Sequence, residues 1–342
     1  GFLAFTAIFF FLIMREQMLA YVSLAVLAVG VAITGYFPSV WGLIVTTTIM
    51  SVGFHYFETA NQSLSLQLLP KREAPKVLGQ IAGAAAGAQL TAYGLLAVAW
   101  IVLKPSFETL YVVTGAATMV LTVAVVLFFR RFVGDVPQRK TIVLRRRYWL
   151  YYALTFMSGA RRQLFMAFGG FLLVERFGYD VAGLAKLMFV TCAINLVAAP
   201  LLGRMVGRLG ERATIILENV VLVGVFLGYA FTTSGAVAGA LFVLDGVFFT
   251  LTLAQRTYFQ KIADPADISP TASVAFTINH IAAVALPVTF GLVWIKNPSI
   301  VFEIGAGVAT ASLLLAFLVP RHPEPGRETT LDGVKAQPAP AE

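Results

Sequence analysis

Residues 148–174 read YWLYYALTFMSGARRQLFMAFGGFLLV, and the position of Arg161 and Arg162 in the middle of that stretch decides how the chain is read. The uncharged runs on either side, 149–160 and 163–174, are each too short to cross a bilayer alone, because a helix needs about 20 residues to span ~30 Å of hydrocarbon. Joined, they make one span with two guanidinium groups near its midplane. A charge at that depth costs at least ~2.5 kcal/mol even on lenient insertion scales, and it turns toward a bundle interior or a water-filled cavity. Such a placement implies a use.

Working outward, the rest of the chain has the same character. Of its 342 residues 58% are hydrophobic and 12% charged, and the mean hydropathy is +0.82. This is the composition of a polytopic membrane protein, not of a soluble globule. Apolar runs at 2–14, 18–37, 40–62, 77–103, 110–129, 148–174, 181–202, 213–233, 236–258, 273–295 and 300–319 give eleven expected spans. The first is short and the sequence opens on Gly1, so a truncated or lost opening helix is expected. The net charge of +8 does not point to nucleic acid, since the basic residues lie in short loops between spans. Anionic lipid headgroups are the expected partner. Cys192 is the single cysteine, so no intrachain disulfide forms and the redox compartment is unreadable.

Alternating the spans across the bilayer fixes an orientation. With the loop after Phe129 in the cytoplasm, only Lys104, Arg176, Lys186 and Lys296 among the 25 lysines and arginines fall outside, with Arg161 and Arg162 in the span itself. That is a strong positive-inside bias. The linker and the C-terminus are then cytoplasmic, and a bacterial inner (plasma) membrane is the expected location.

A faint repeat runs through the chain. Gln62 and Gln67 precede Pro70, Gln255 and Gln260 precede Pro265, and the offset is the same (255 − 62 = 260 − 67 = 193). Together with the span count, this suggests two parallel six-helix units, the first missing its opening helix. The stretch Gly203-Arg204-Met205-Val206-Gly207-Arg208-Leu209-Gly210-Glu211-Arg212 resembles the cytoplasmic signature of the major facilitator superfamily, with Gly203, Gly207, Arg208, Gly210 and Arg212 as its positions. Gly207 stands where the signature usually has aspartate. The matching turn of the first half, Met14-Arg15-Glu16-Gln17, keeps little beyond a charge pair.

The resemblance implies an all-α membrane bundle of about eleven helices in two pseudo-repeated halves, with a central cavity where the halves meet. Residues 1–133 then resemble the family's helices two to six and 148–320 its helices seven to twelve. Residues 134–147 form a basic cytoplasmic linker, and 321–342, rich in Pro, Glu and Gly, a disordered cytoplasmic tail.

Candidate site residues follow from polar positions inside spans. Ser51, His55, Glu58, Gln62 and Ser65 recur at steps of four and three and share one helical face. His55 and Glu58, one turn apart, either share a proton, as a coupling group would, or satisfy each other or an arginine. Asp245, Thr252 and Gln255 form a second stripe, with Asp245 near midplane as the first candidate partner for an arginine. Neighbouring helical residues project about 100° apart, so one acid does not neutralise both Arg161 and Arg162. The arginine left over would offer its fork of donors to a carboxylate or phosphate.

Glu218 reads as structural, within reach of Arg208 or Arg212. Asn279 and His280 are gate contacts or interhelical hydrogen bonds, and Gly79, Gly83 and Gly87 form a ladder for close helix packing. The three histidines, His55, His280 and His322, are too scattered for a metal site, and no phosphate-binding glycine loop is present. Neither cofactor nor metal nor enzyme activity is expected. The expected function is secondary active transport of a small polar or anionic solute by alternating access, with proton coupling as one option, in a monomer. The alternative is a transport-inactive relative acting as a membrane sensor or assembly protein.

Overall fold

The computed structural model describes residues 13–129, 132 and 136–332. Its elements run α1 (Glu16–Thr34), α2 (Val40–Leu68), α3 (Ala74–Val102), α4 (Phe107–Phe128), α5 (Trp149–Leu164), α6 (Gly170–Glu175), α7 (Val181–Leu209), α8 (Glu211–Phe231), α9 (Gly235–Phe248), α10 (Leu253–Ile262), α11 (Ile268–Lys296) and α12 (Pro298–Ala316). A π-helical turn, Phe165–Gly169, joins α5 to α6, and a 3-10 turn, Phe249–Thr252, joins α9 to α10. Each pair is thus one interrupted rod. Nine helical stretches among the described residues are long and apolar enough to cross a membrane. The rod α5–α6 adds a tenth, over almost the residues expected from the sequence. The expected span 2–14 lies almost wholly outside the described residues.

Local chemistry explains the boundaries. Ser106, Asp180, Ser234 and Asn297 each accept a hydrogen bond from a backbone N–H at the start of α4, α7, α9 and α12, meeting donors that a helix leaves unpaired at its N-terminus. Gly210, at φ +81°, ends α7 and begins α8 in a single residue, a conformation that glycine adopts without a Cβ penalty.

Contacts gather the described residues into two compact units. The first comprises the described parts of Gly1–Leu68, Ala92–Leu144 and Pro265–Thr277. Here α1 packs against both α2 and α4, and glycine makes each contact close. A Cβ on Gly53 of α2 would lie 2.7 Å from the Ser23 carbonyl, and one on Gly115 of α4 would lie 2.6 Å from the Ala28 carbonyl. Backbone-on-backbone approach of this kind is how helices associate where lipid removes any hydrophobic drive. The linker docks in the same unit. Gln138 donates to the Pro265 carbonyl and accepts from the Ser269 N–H, both at 2.9 Å, while Arg139 meets the fully buried Asp267 at 3.1 Å. The linker therefore caps α11.

The second unit comprises the described parts of Leu69–Thr91, Arg145–Asp264 and Ile278–Glu342. Its core is aromatic: Phe168, Trp294, Phe302, Tyr229 and Phe226 are buried together, with Tyr229 and Phe302 5.0 Å apart and Phe168 and Trp294 5.3 Å apart between ring centres. The glycine ladder of α3 belongs to this unit. A Cβ on Gly79 would lie 2.7 Å from the Cα of Gly203, and one on Gly83 would lie 2.8 Å from the ring of Pro200, so α3 and α7 touch along the ladder. Thus 69–91 of the first half of the sequence pack in the second unit, and 265–277 of the second half pack in the first.

The segment after α12 corrects an expectation. Residues 321–332, expected to be disordered, are held in place: Glu328 and Thr329 are buried, and the hydroxyl of Tyr258 donates to the Glu328 carbonyl at 2.6 Å. Composition argued for disorder because little apolar surface is available, but specific polar partners do the ordering. Residues 333–342 lie outside the described residues.

Candidate functional site

Arg161 and Arg162 have opposite fates. Arg161 is 4% exposed and its Nη2 donates to Oε1 of Glu218 at 2.7 Å, with Glu218 fully buried on α8. Arg162, about 100° further round the helix, is exposed, and its guanidinium lies over the ring of Phe249 at 5.3 Å, within cation–π range.

The pairing corrects two expectations. Glu218 joins Arg161, not Arg208 or Arg212, and Asp245 is not the ion-pair partner. Glu218 lies about 10 Å along α8, at ~1.5 Å per residue, and Arg161 about 18 Å along α5. Asp245, 4% exposed on α9, lies within electrostatic range of both Arg161 and Glu218. This cluster inside the second unit therefore brings together one guanidinium and two carboxyl groups. Oε2 of Glu218, Oδ1 of Asn219 and the hydroxyl of Tyr229 are buried there without a hydrogen-bond partner among the described residues.

Both rods lose α geometry beside this cluster. The π-helical turn begins three residues after Arg162, and the N–H of Phe165 is shared between the carbonyls of Arg161 and Arg162. The 3-10 turn begins four residues after Asp245. Phe165 of the π turn packs against Phe242 of α9 at 4.8 Å, and Phe249 of the 3-10 turn carries Arg162. Single-turn π distortions occur frequently at functional sites. The pair Gly169-Gly170 closes the π turn, but a glycine pair does not by itself specify one, and no proline or glycine pair lies in the 3-10 turn.

The polar stripe of α2 lies in the first unit. Ser51, His55, Glu58, Gln62 and Ser65 are all half-buried, as one shared face requires. His55 Nδ1 lies 2.7 Å from the Ser51 carbonyl and 3.2 Å from the Ser51 hydroxyl, so the helix's own previous turn, not Glu58, stands against that nitrogen. The imidazole also meets Phe54 and Phe276 edge-on, each at 5.6 Å.

Gln255 is buried on α10. Gln260, five residues further on, donates to the Leu69 carbonyl at 2.7 Å, whereas its repeat counterpart Gln67 donates to the Ser63 hydroxyl one turn back in its own helix. The repeated glutamines thus do different work. Asn279 and His280 are half-buried on α11. Asn279 abuts α5, where a Cβ on Gly159 would lie 2.6 Å from the Asn279 carbonyl.

The stretch 203–212 is mostly helix. Gly203, Gly207 and Arg208 lie inside α7, and only Gly210 forms the turn. Gly203 is a packing residue, since a Cβ there would lie 2.6 Å from the Pro75 carbonyl. Gly207 and Arg208 are exposed, and Arg212 is half-buried. Glu211, unremarked in the sequence, is buried and pairs with Lys261 at 2.6 Å, and Lys71 donates to the Lys261 carbonyl at 3.2 Å. Burial, with the charge of Lys261 adding to it, pushes the Lys71 ammonium below its ordinary range.

A bundle of long apolar rods with buried charge pairs and interrupted helices is that of an integral membrane protein. The chain belongs to the major facilitator superfamily, whose family profile matches residues 2–287. Among solved structures it is similar to the E. coli fucose:proton symporter FucP. The FucP structure in the outward conformation gives a TM-score of 0.73 at 13% identity over 92% of this chain and 86% of that one. A second FucP structure gives 0.70 with the same identity and coverage. The human organic anion transporter MFSD10 (TETRAN) gives 0.66 at 16% identity over 92% and 80%. No curated protein matches in sequence. At these identities the structural likeness is one of fold.

Proposed function

We propose that this protein is a secondary active transporter of a small polar or anionic solute, working by alternating access as a monomer. The observation that supports the reading is the position of Arg162: its side chain is exposed and its guanidinium lies over Phe249 at the paired helix interruptions. A planar fork of donors suits a carboxylate or phosphate, and interrupted helices near the bilayer midplane are where carriers of this architecture bind solute. That one structural neighbour is named an organic anion transporter agrees with an anionic cargo. Glu58 and His55 are the proposed coupling pair, in line with a neighbour named as a proton symporter. In this reading the halves are 1–133 and 148–320, the linker 134–147 and the C-terminus face the cytoplasm of a bacterial cell, and anionic headgroups meet the basic loops.

The test is counterflow in proteoliposomes, with substrates taken from a thermal-shift screen of metabolites at two pH values. Arg162→Ala should lower uptake at least about tenfold, equivalent to ~1.4 kcal/mol, with little change in melting temperature. Glu58→Gln should abolish uptake driven by a pH gradient and leave counterflow intact. Wild-type uptake by Arg162→Ala defeats the assignment of the site. A ligand that stabilises the protein yet gives no counterflow identifies a sensor instead.

A further inference from the structure

The short segment that follows α12 has no role in the transport reading, yet it is built into the second unit by contacts of unusual economy. After the buried Pro320 and Pro323, the chain turns at Gly326, φ +88°, and the Arg327 N–H reaches the Glu324 carbonyl at 3.0 Å. That turn delivers Glu328, 4% exposed, to a prepared seat. Its carbonyl accepts from the fully buried hydroxyl of Tyr258 near the end of α10, at 2.6 Å. Its carboxylate accepts from the Gly326 N–H at 3.0 Å and pairs with Arg147 at 3.7 Å.

Arg147 in turn donates to the Tyr148 hydroxyl at 2.6 Å, which also accepts from the Asp264 N–H at 3.0 Å. Finally the Thr330 N–H returns to the Leu318 carbonyl at 2.8 Å, closing the segment onto the end of α12. Three separate points of the unit are thereby tied together: the start of α5, the end of α10 and the end of α12.

Ordering such a segment costs backbone entropy at every residue, and its composition provides little apolar surface in return. The Tyr258 hydroxyl stands fully inside the protein, and without the segment its donor would lose its partner. An unsatisfied buried polar group is costly, so seat and segment depend on each other. We infer that residues 320–332 are an intramolecular clip that locks the ends of α5, α10 and α12 into one body, with Glu328 as its key residue.

The clip is tested without reference to any substrate. In the full-length protein in detergent, Glu328→Ala should speed limited trypsin cleavage at Arg321, a bond not adjacent to the substitution, at least about tenfold, as an opened segment becomes cleavable in proportion to its open population. Removal of residues 321–342 should lower the melting temperature by about 5 °C. A synthetic peptide of residues 321–332 added in trans should restore much of that loss, and the same peptide carrying Glu328→Ala should not. Equal cleavage rates for wild type and Glu328→Ala overturn the inference, as does a truncated chain that melts with the wild type or equal rescue by the two peptides. Should the truncated chain fail to fold, the cleavage comparison decides alone.

Discussion

The polar stripe of α2 and the ionic cluster around α5 are the same signal in sequence, polar residues inside apolar spans, and the fold resolves them in opposite ways. On α2 the polar groups stay half-buried and lean on their own helix, as His55 does on Ser51. In the second unit Arg161, Glu218 and Asp245 are brought from three helices to an interior where each is at most 4% exposed. The second arrangement ties three helices together through charge, whereas the first touches a neighbouring helix through the His55 and Phe276 rings. The first leaves its side chains half-buried, the placement that the proposed coupling role of His55 and Glu58 needs.

The largest expected effect attacks the ionic cluster. Glu218→Ala strands Arg161 in the core and should cost about 3–5 kcal/mol, read as a large drop in melting temperature. Arg161→Leu combined with Glu218→Leu should recover most of that loss, because removing both charges avoids the stranded one. Were the double variant no better than the single, the pair would be tied into a wider network and the contrast with α2 would need redrawing.

Next in size, Gly203→Val should cost about 1–3 kcal/mol, since a side chain there meets the Pro75 carbonyl and the Gly79 backbone. Gly207→Val, four residues on and open to its surroundings, should stay within roughly 0.5–1 kcal/mol of wild type, so chemical denaturation of the two side by side isolates the packing role. The smallest effect belongs to α2. His55→Gln should change stability by less than about 1 kcal/mol, because the half-buried amide can still reach the Ser51 carbonyl that the imidazole faces. A loss as large as that of Glu218→Ala would mean that the stripe is architectural too.

Much of this was legible beforehand. Span positions follow from runs of apolar residues, because each helix satisfies its own backbone and needs only length and hydrophobicity to cross. The close approach of α3 was legible from its glycine spacing. The partner of Arg161 was not, since Glu218 and Asp245 are equivalent as letters and only the relative depth and rotation of α5, α8 and α9 separates them. The clip was illegible for a related reason. Its composition argues for disorder, and the buried hydroxyl of Tyr258 that orders it lies 70 residues away.

The amino-acid sequence by itself determined that this is a helical membrane protein, where its rods run and which spans carry charge, since these are properties of single segments in a low-dielectric solvent. Tertiary structure alone decided which charges pair, where two rods depart from α geometry and which loop or tail segments are fastened. Those outcomes depend on distances between groups far apart in the chain, and a hydrogen bond or ion pair is lost when such a distance changes by little more than 1 Å.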